Sequence, residues 1–183
     1  MATLDELNTI NEDHAAQMIA PLIERAPDIA KRVAARRPFV DPESLSRAIT
    51  EELTALSDTS RIELFRAHPE LAPENPMAMT LESQAEQQRL DLTSNQSEHN
   101  ERLSHLNQLY REKFGFPFII ALARHETIES VLEAFETRLS SDLRSELDAA
   151  IGEVADVSAA RVAALFGGSK TERPARQERI EPV

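Results

Sequence analysis

The sequence predicts an all-α fold, a single-domain helical bundle of about eight helices. Only 4 of the 183 residues are glycine, no long segment alternates β-branched and polar residues, and most segments repeat apolar residues at helical spacing. Hydrophobic residues make up 41% of the chain and charged residues 28%, a balance typical of globular proteins. The length suits one domain with a sizeable core, which we expect over residues 1–168.

Prolines and capping residues divide the first part of the chain into helices. Pro21 and Pro27 can each occupy a first helical turn, and Pro38 closes the segment IAKRVAARRPF. Asp41 and Pro42 show the N-cap and N1 pattern, and they predict that a helix begins at DPESLSRAITEELTALSD.

The next helix, from about Thr59, is predicted to end near Ala67. His68 precedes Pro69, and a residue before proline is disfavoured in the α region. The imidazole is therefore free to point away from the helix, and an unperturbed pKa of about 6.5 lets it both take and give a proton. A lone histidine is more often a surface or capping residue, so chain position leaves its role open.

The second part of the chain is predicted to hold four helices and one extended segment. Thr80 can cap TLESQAEQQRL, and Gly115 suits the position just past ERLSHLNQLYREKFG. The run FPFIIAL, residues 116–122, is strand-like, but its proline and its isolation favour an extended buried segment over a sheet. The helices TIESVLEAFETRL and SSDLRSELDAAIGEVADVSAARVAALF follow. The tail, residues 169–183, is rich in charge and poor in apolar residues, which predicts disorder.

The last helix carries a charge on its apolar stripe. Residues of this stripe step by three or four positions: Leu147, Ile151, Val154, Val157, Arg161 and Leu165. Arg161 either extends its guanidinium to water at the edge of the stripe, or points into an interior pocket and pairs with a carboxylate. The pattern alone leaves both interpretations open.

A second irregular feature is a polar face on TLESQAEQQRL. Ser83, Glu86, Gln87 and Leu90 lie at helical spacing, so a hydroxyl, a carboxylate and an amide share one face. Such a face is usually solvated. The alternative is that the three polar groups converge on a pocket.

Charge and composition exclude several classes of function. The chain has 20 basic and 32 acidic residues, a formal charge of -12, and this charge repels polyanions, so no nucleic acid partner is expected. No apolar run approaches the roughly 20 residues that span a bilayer, and the acidic N-terminus lacks a signal-peptide core. We therefore expect a cytoplasmic protein with no membrane partner.

The sequence supports neither a metal site nor a cofactor. There are no cysteines, which excludes thiolate ligands and thiol chemistry. His99 and His105 are six residues apart and lie off a common helix face, while His125 and Glu126 lack the second histidine of HExxH. Phosphate-binding glycine loops, GxSxG elbows and dinucleotide fingerprints are also missing.

Taken in order, the segments FRAHPELA, ESQAEQ, LNQLYREKFGFPFIIAL and EVADVSAARV resemble one family. They are similar to the 2-oxo-4-hydroxy-4-carboxy-5-ureidoimidazoline (OHCU) decarboxylases of urate breakdown, over about residues 10–166. HPEL and KFGFPFII are the most specific parts. ARRPF before them and RHETIESVLEAFETRL after them strengthen the resemblance.

The resemblance implies an all-helical fold, usually a homodimer, that removes CO2 from OHCU without a cofactor and leaves (S)-allantoin. It further implies that His68 is the acid/base residue, Glu86 its carboxylate partner and Arg161 the cation of the pocket. The substrate-binding residues it implies are Pro69, Ser83, Gln84, Ala85, Gln87, Phe118, Ile119, Ile120, Ala121 and Leu122.

One segment departs from the family pattern. Many members follow the Glu-Gln pair with Ala-Gly-Leu, where this chain reads QRLDL, so we expect the rim of the pocket to differ. Two other functional classes remain as alternatives. A non-catalytic helical module could bind a ureide or a protein, but the presence of His68, Glu86 and Arg161 favours catalysis. A purely structural bundle explains neither the arginine on the apolar stripe nor the polar face.

Overall fold

A computed structural model of the chain describes residues 2–92 and 99–167. Within these residues it contains no strand, and the all-α prediction is confirmed. The nine described helices are α1 (Leu4–Thr9), α2 (Glu12–Ile19), α3 (Pro27–Ala34), α4 (Pro42–Thr54), α5 (Asp58–Arg66), α6 (Leu81–Gln88), α7 (Asn100–Phe114), α8 (Ile128–Leu139) and α9 (Leu143–Phe166). The predicted domain end at residue 168 and the predicted disordered tail lie outside the described residues.

The caps that the sequence predicts are present. The Asp41 carboxylate accepts a hydrogen bond from the Ser44 backbone N–H at 2.7 Å, and the Ser44 hydroxyl accepts one from the Asp41 N–H at 3.2 Å, which is a reciprocal capping box. Thr80 caps α6 by accepting from the Ser83 N–H. Gly115 ends α7 in the left-handed region with a φ of 80°, where a side chain would be strained.

The longest helix, α9, forms the centre of the molecule. It packs against α4, α5 and a short 3₁₀ turn at Ala20–Leu22, while α3 bridges α2 and α4. A second centre is aromatic and joins α5, α7, α8 and the chain after α7, through the rings of Phe65, Tyr110, Phe116, Phe118 and Phe135. Phe118 stacks on Phe135 with ring centroids 3.9 Å apart.

The extended segment, residues 116–122, contributes Phe116 and Phe118 to the aromatic centre and has no sheet partner among the described residues. Two of its backbone groups instead form hydrogen bonds with charged side chains. The Ala121 N–H donates to Glu153 Oε2 at 2.8 Å, and the Ile119 carbonyl accepts from Arg138 Nη1 at 2.7 Å. The prediction of an extended buried segment is confirmed, and these two of its backbone groups have charged side-chain partners.

A buried ion pair with Glu146 fixes Arg138, the arginine that binds the extended segment. Glu146 is fully buried and accepts hydrogen bonds from Arg138 and from the Tyr110 hydroxyl. The Arg138 guanidinium also lies 4.7 Å from the centre of the Phe118 ring. Burial and the adjacent Glu146 carboxylate raise the pKa of Tyr110, so its hydroxyl remains a donor.

We expect Glu146→Gln to lower the free energy of unfolding by roughly 3 kcal/mol, because it leaves Arg138 without its buried counter-ion. Urea denaturation followed by circular dichroism measures the change. Glu133→Gln is the matched control, since Glu133 is exposed on α8. Equal stability of the two variants would show that the pair of Glu146 and Arg138 contributes nothing to the free energy of unfolding.

Candidate active site

One cavity collects side chains from five parts of the chain. It lies among the residues after the Ala20–Leu22 turn, the end of α5, helix α6, the extended segment and the middle of α9. The residues that line it are Glu24, His68, Pro69, Leu71, Ser83, Glu86, Gln87, Phe118, Ile119, Ile120, Leu122, Val154, Val157 and Arg161. Most of the residues that the sequence nominated for a site are therefore brought together.

Gln84, Ala85 and Ala121 were also nominated, but they do not line the cavity. Helix α6 presents only one of its faces to the cavity, and Gln84 and Ala85 lie off that face. Ala85 is exposed, and Gln84 donates to the Met79 carbonyl at 3.1 Å. Ala121 is buried, and its N–H is bonded to Glu153. In this structure the three residues support the wall or face away from it.

Arg161 points into the cavity, where its side chain is 8% exposed. Its Nε donates to Glu86 Oε1 at 2.7 Å and its Nη2 to Glu86 Oε2 at 2.9 Å, a two-pronged ion pair. Nη1 donates to Glu24 Oε2 at 3.3 Å and to the Pro21 carbonyl at 3.2 Å. Burial lowers the pKa of Arg161, but the bonds to Glu86 and Glu24 outweigh it and raise the pKa, so the group remains a cation.

The expected pairing of Glu86 with His68 is wrong in this structure. Both Glu86 oxygens accept from Arg161, whose planar fork matches a carboxylate. His68 Nδ1 lies 2.9 Å from the Leu64 carbonyl. The same carbonyl accepts from the Ala67 N–H at 3.2 Å, so His68 is its second donor at the end of α5.

The contact with Leu64 determines which nitrogen of His68 carries the proton. A carbonyl oxygen only accepts, so Nδ1 donates, and in the neutral ring Nε2 then carries a free lone pair. Burial lowers the pKa of His68 below its ordinary 6.5, and Arg161 acts in the same direction, while the Leu64 carbonyl and Glu24 oppose them. At neutral pH the ring is therefore uncharged, with Nε2 as a base.

Glu24 is the acidic residue that the sequence analysis missed. It is 4% exposed, and its carboxylate accepts from the hydroxyls of Thr80 and Ser83 at 2.8 and 2.9 Å. It lies in LIERAPD, where no helix periodicity gives a direction to its side chain. Only its position directly after the apolar pair Leu22 and Ile23 hinted that it was buried.

Gln87 reaches the cavity wall, but its amide is already engaged. Its Oε1 accepts from the Ala72 N–H at 2.9 Å, and its Nε2 donates to the Glu70 carbonyl at 2.8 Å and contacts Met79 Sδ at 3.3 Å. The residue thus holds the loop that follows His68. This differs from the expectation that Gln87 hydrogen-bonds the substrate, because the loop takes up its polar groups.

The QRLDL departure adds a contact at the rim. Arg89 donates to the carbonyls of Leu122 and His125, the latter at 2.7 Å. Its guanidinium therefore ties the end of α6 to the end of the extended segment. The arginine of the QRLDL segment is therefore a clamp between two walls of the cavity.

Comparison with known proteins decides the family. A family model described as OHCU decarboxylase matches residues 8–163. The chain belongs to this family. The resemblance that the sequence motifs indicated is confirmed.

Two curated relatives match along almost their whole length. A 2-oxo-4-hydroxy-4-carboxy-5-ureidoimidazoline decarboxylase of Halalkalicoccus jeotgali is 32% identical over 163 residues, which cover 89% of this chain and 91% of the relative. The protein of the same name from Mus musculus is 34% identical over 164 residues, covering 88% of this chain and 92% of the relative.

Solved structures share the fold. An OHCU decarboxylase crystallised in the presence of (S)-allantoin aligns with a TM-score of 0.61 and 26% identity, over 76% of this chain and 91% of that one. An (S)-allantoin synthase aligns with a TM-score of 0.70 and 23% identity over 91% of this chain. This chain spans about half, 54%, of that longer protein.

Proposed function

We propose that this protein decarboxylates OHCU to (S)-allantoin and CO2 in urate breakdown, as a carboxy-lyase that needs no cofactor. The observation that carries the proposal is the meeting of the His68 imidazole, a buried guanidinium and the extended segment around one cavity. Membership of the OHCU decarboxylase family supports it.

The substrate itself supplies the electron sink that decarboxylation needs. Ring carbon 4 carries the hydroxyl and the carboxylate, and the adjacent carbon 5 is doubly bonded to a ring nitrogen, so OHCU is a β-imino acid. When the bond to CO2 breaks, its electron pair forms a carbon 4–carbon 5 double bond, and the imine electrons move to nitrogen. The protein has to orient the substrate, stabilise the developing charge and control one proton.

We assign the control of that proton to His68. Its free Nε2 takes the proton of the 4-hydroxyl as carbon 4 becomes a carbonyl, and the imidazolium then returns a proton to carbon 5. A second proton, on the ring nitrogen, comes from solvent and balances the loss of CO2 from the carboxylate. Delivery from one side gives a single enantiomer.

Arg161 and the extended segment hold the substrate. The guanidinium is the only described cation on the cavity wall, and it can receive a carboxylate or carbonyl oxygen. Phe118 and Ile120 contribute apolar walls that exclude water, which strengthens the hydrogen bonds inside.

The pH dependence of kcat/KM tests the base assigned to His68. Because the pKa of His68 is lowered, Nε2 stays unprotonated to lower pH than an ordinary imidazole. We expect kcat/KM to be level through neutrality and to fall only below pH 6.5, as Nε2 becomes protonated. An acid limb centred at 6.5 or above would contradict the lowered pKa of this ring.

The optical rotation of the product tests the proposed function. Freshly prepared OHCU decays spontaneously to racemic allantoin, whereas catalysis produces one hand. Adding the protein should speed the loss of OHCU and produce rotation of the sign of (S)-allantoin. Unchanged decay to a racemate would mean that the cavity binds a ureide without turnover, or binds another ligand.

The proposal extends to the domain boundaries, the oligomeric state and the location of the enzyme. We infer a single domain over residues 1–168, a homodimer and a cytoplasmic location, on the basis of the family pattern and the sequence. No helix among residues 2–92 and 99–167 is long and apolar enough to cross a membrane. Analytical ultracentrifugation at micromolar concentration should give twice the chain mass, and a single species of the chain mass would contradict the dimer.

A further inference from the structure

Glu24 has no part in the mechanism above, yet it is the most buried charged group on the cavity wall. Burial of a carboxylate is costly unless donors surround it. Here Thr80 and Ser83 donate through their hydroxyls, Arg161 donates through Nη1, and Arg25 Nε lies 3.8 Å away. The carboxylate joins the N-terminal part of the chain to α6 and α9 at the cavity.

We propose that Glu24 is a positioning residue, which fixes the direction of the Ser83 hydroxyl and keeps Arg161 aimed into the cavity. The inference rests on the proposed decarboxylation and extends it to the substrate groups that the site selects.

The single proton of the Ser83 hydroxyl determines which substrate group this residue can bind. A serine hydroxyl has one proton, and a carboxylate oxygen only accepts, so this proton points to Glu24 Oε2 at 2.9 Å. Arg161 Nη2 approaches the same hydroxyl at 3.4 Å, also as a donor. Ser83 can therefore offer only lone pairs to a bound molecule. It selects an N–H group, such as that of a ureido arm, over a carbonyl or a carboxylate.

The two carboxylates that pair with Arg161 differ in their exposure to solvent, and this difference determines which of them the substrate can replace. The side chain of Glu86 is 33% exposed, whereas that of Glu24 is 3% exposed. Two carboxylates already compete for one guanidinium, so an anionic substrate adds a third anion. Glu86 can turn towards water and release its bonds, while Glu24 cannot. Glu24 thus retains the guanidinium when substrate replaces Glu86.

A double-mutant cycle separates this role from a merely structural one. Glu24→Gln preserves the shape and removes the charge, and Ser83→Ala removes the oriented hydroxyl. We expect each variant to lower kcat/KM at least tenfold and to stay folded at the assay temperature, because Arg161 keeps its ion pair with Glu86. The double variant should be no worse than about the worse single variant, because both remove the same interaction. Glu12→Gln, exposed on α2, is the matched control.

The pH at which kcat/KM falls on the acid side distinguishes the two roles. A purely structural role of Glu24 would leave this pH unchanged. The charged groups around His68 are Glu24 and Arg25 from the N-terminal part, Glu86 from α6 and Arg161 from α9. Glu24 favours the imidazolium, so its neutralisation should shift the acid limb of Glu24→Gln to lower pH. Glu12→Gln should leave the limb unchanged.

The outcomes separate the inference from the proposed function. If the unmodified chain makes no optically active allantoin, both fail. If it does, but Glu24→Gln keeps full activity, or the losses multiply in the double variant, the positioning role alone is overturned. Should Glu24→Gln unfold, the same cycle is run with Glu24→Asp, which keeps the charge but withdraws it from Ser83 by one methylene.

Discussion

Replacing His68 with asparagine is expected to slow the formation of (S)-allantoin roughly a hundredfold or more, the usual effect of losing a general acid/base. Asparagine can still donate to the Leu64 carbonyl, but it cannot accept the hydroxyl proton or return it to carbon 5. The fold should be unaffected, because His68 is only partly buried and belongs to no ion pair among the described residues. Steady-state kinetics with fresh OHCU, together with a thermal melt, measure both effects.

The control for this substitution is His105→Asn, which changes an exposed histidine on α7. It should retain both rate and melting temperature. Full activity in His68→Asn would remove the imidazole from the mechanism. A racemic product formed at the enzymatic rate would instead remove its control of the proton that reaches carbon 5.

Substitution of Arg161 is expected to damage substrate binding most. In Arg161→Ala, Glu86 and Glu24 lose their shared cation and face an anionic substrate, so we expect kcat/KM to fall roughly a hundredfold or more. The loss should appear mainly in KM, because the guanidinium orients the substrate before the bond breaks. Leaving two carboxylates without a cation should also cost about 3 kcal/mol of stability.

Arg161→Lys separates the two effects. Lysine keeps the charge, and with it most of the stability, but it cannot form the two-pronged bond of a guanidinium. We expect a near-native melt with a clear loss of substrate affinity. If Arg161→Ala unfolds, while refolded protein binds (S)-allantoin with unchanged affinity, then Arg161 has a structural role only.

The helices could be predicted from the sequence because their boundaries depend on local chemistry. Asp41 with Pro42, Thr80 and Gly115 each determine a helix end through contacts with residues a few positions away. The extended segment was predictable for a similar reason, since Pro117 and its isolation argue against a sheet.

The partners within the site could not be predicted in the same way. Glu86 and Arg161 are 75 residues apart, and helical spacing indicates that each faces inward without indicating which group it meets. The resemblance implied that Glu86 pairs with His68, whereas in the structure Glu86 pairs with Arg161 and His68 contacts the Leu64 carbonyl. The resemblance implied that Gln87 binds the substrate. The sequence did not show that a loop occupies its amide, because that loop has no periodicity from which its path follows.

Glu24 was missed because its burial is a property of the tertiary fold. Its donors, Thr80, Ser83 and Arg161, lie 56, 59 and 137 residues away. In the sequence it is one of 32 acidic residues in a chain of high negative charge. A buried acid of this kind can be recognised only when the elements that supply its donors are assembled.

A crystal structure of the chain with (S)-allantoin bound tests whether His68, Arg161 and Ser83 hold one ligand. We expect allantoin in this cavity, with the hydrogen-bearing ring carbon facing His68 Nε2, a carbonyl oxygen on Arg161 and a ureido N–H donating to Ser83 Oγ. Allantoin bound elsewhere, or bound here with its ring carbon turned away from His68, would show that these three residues do not form the active site.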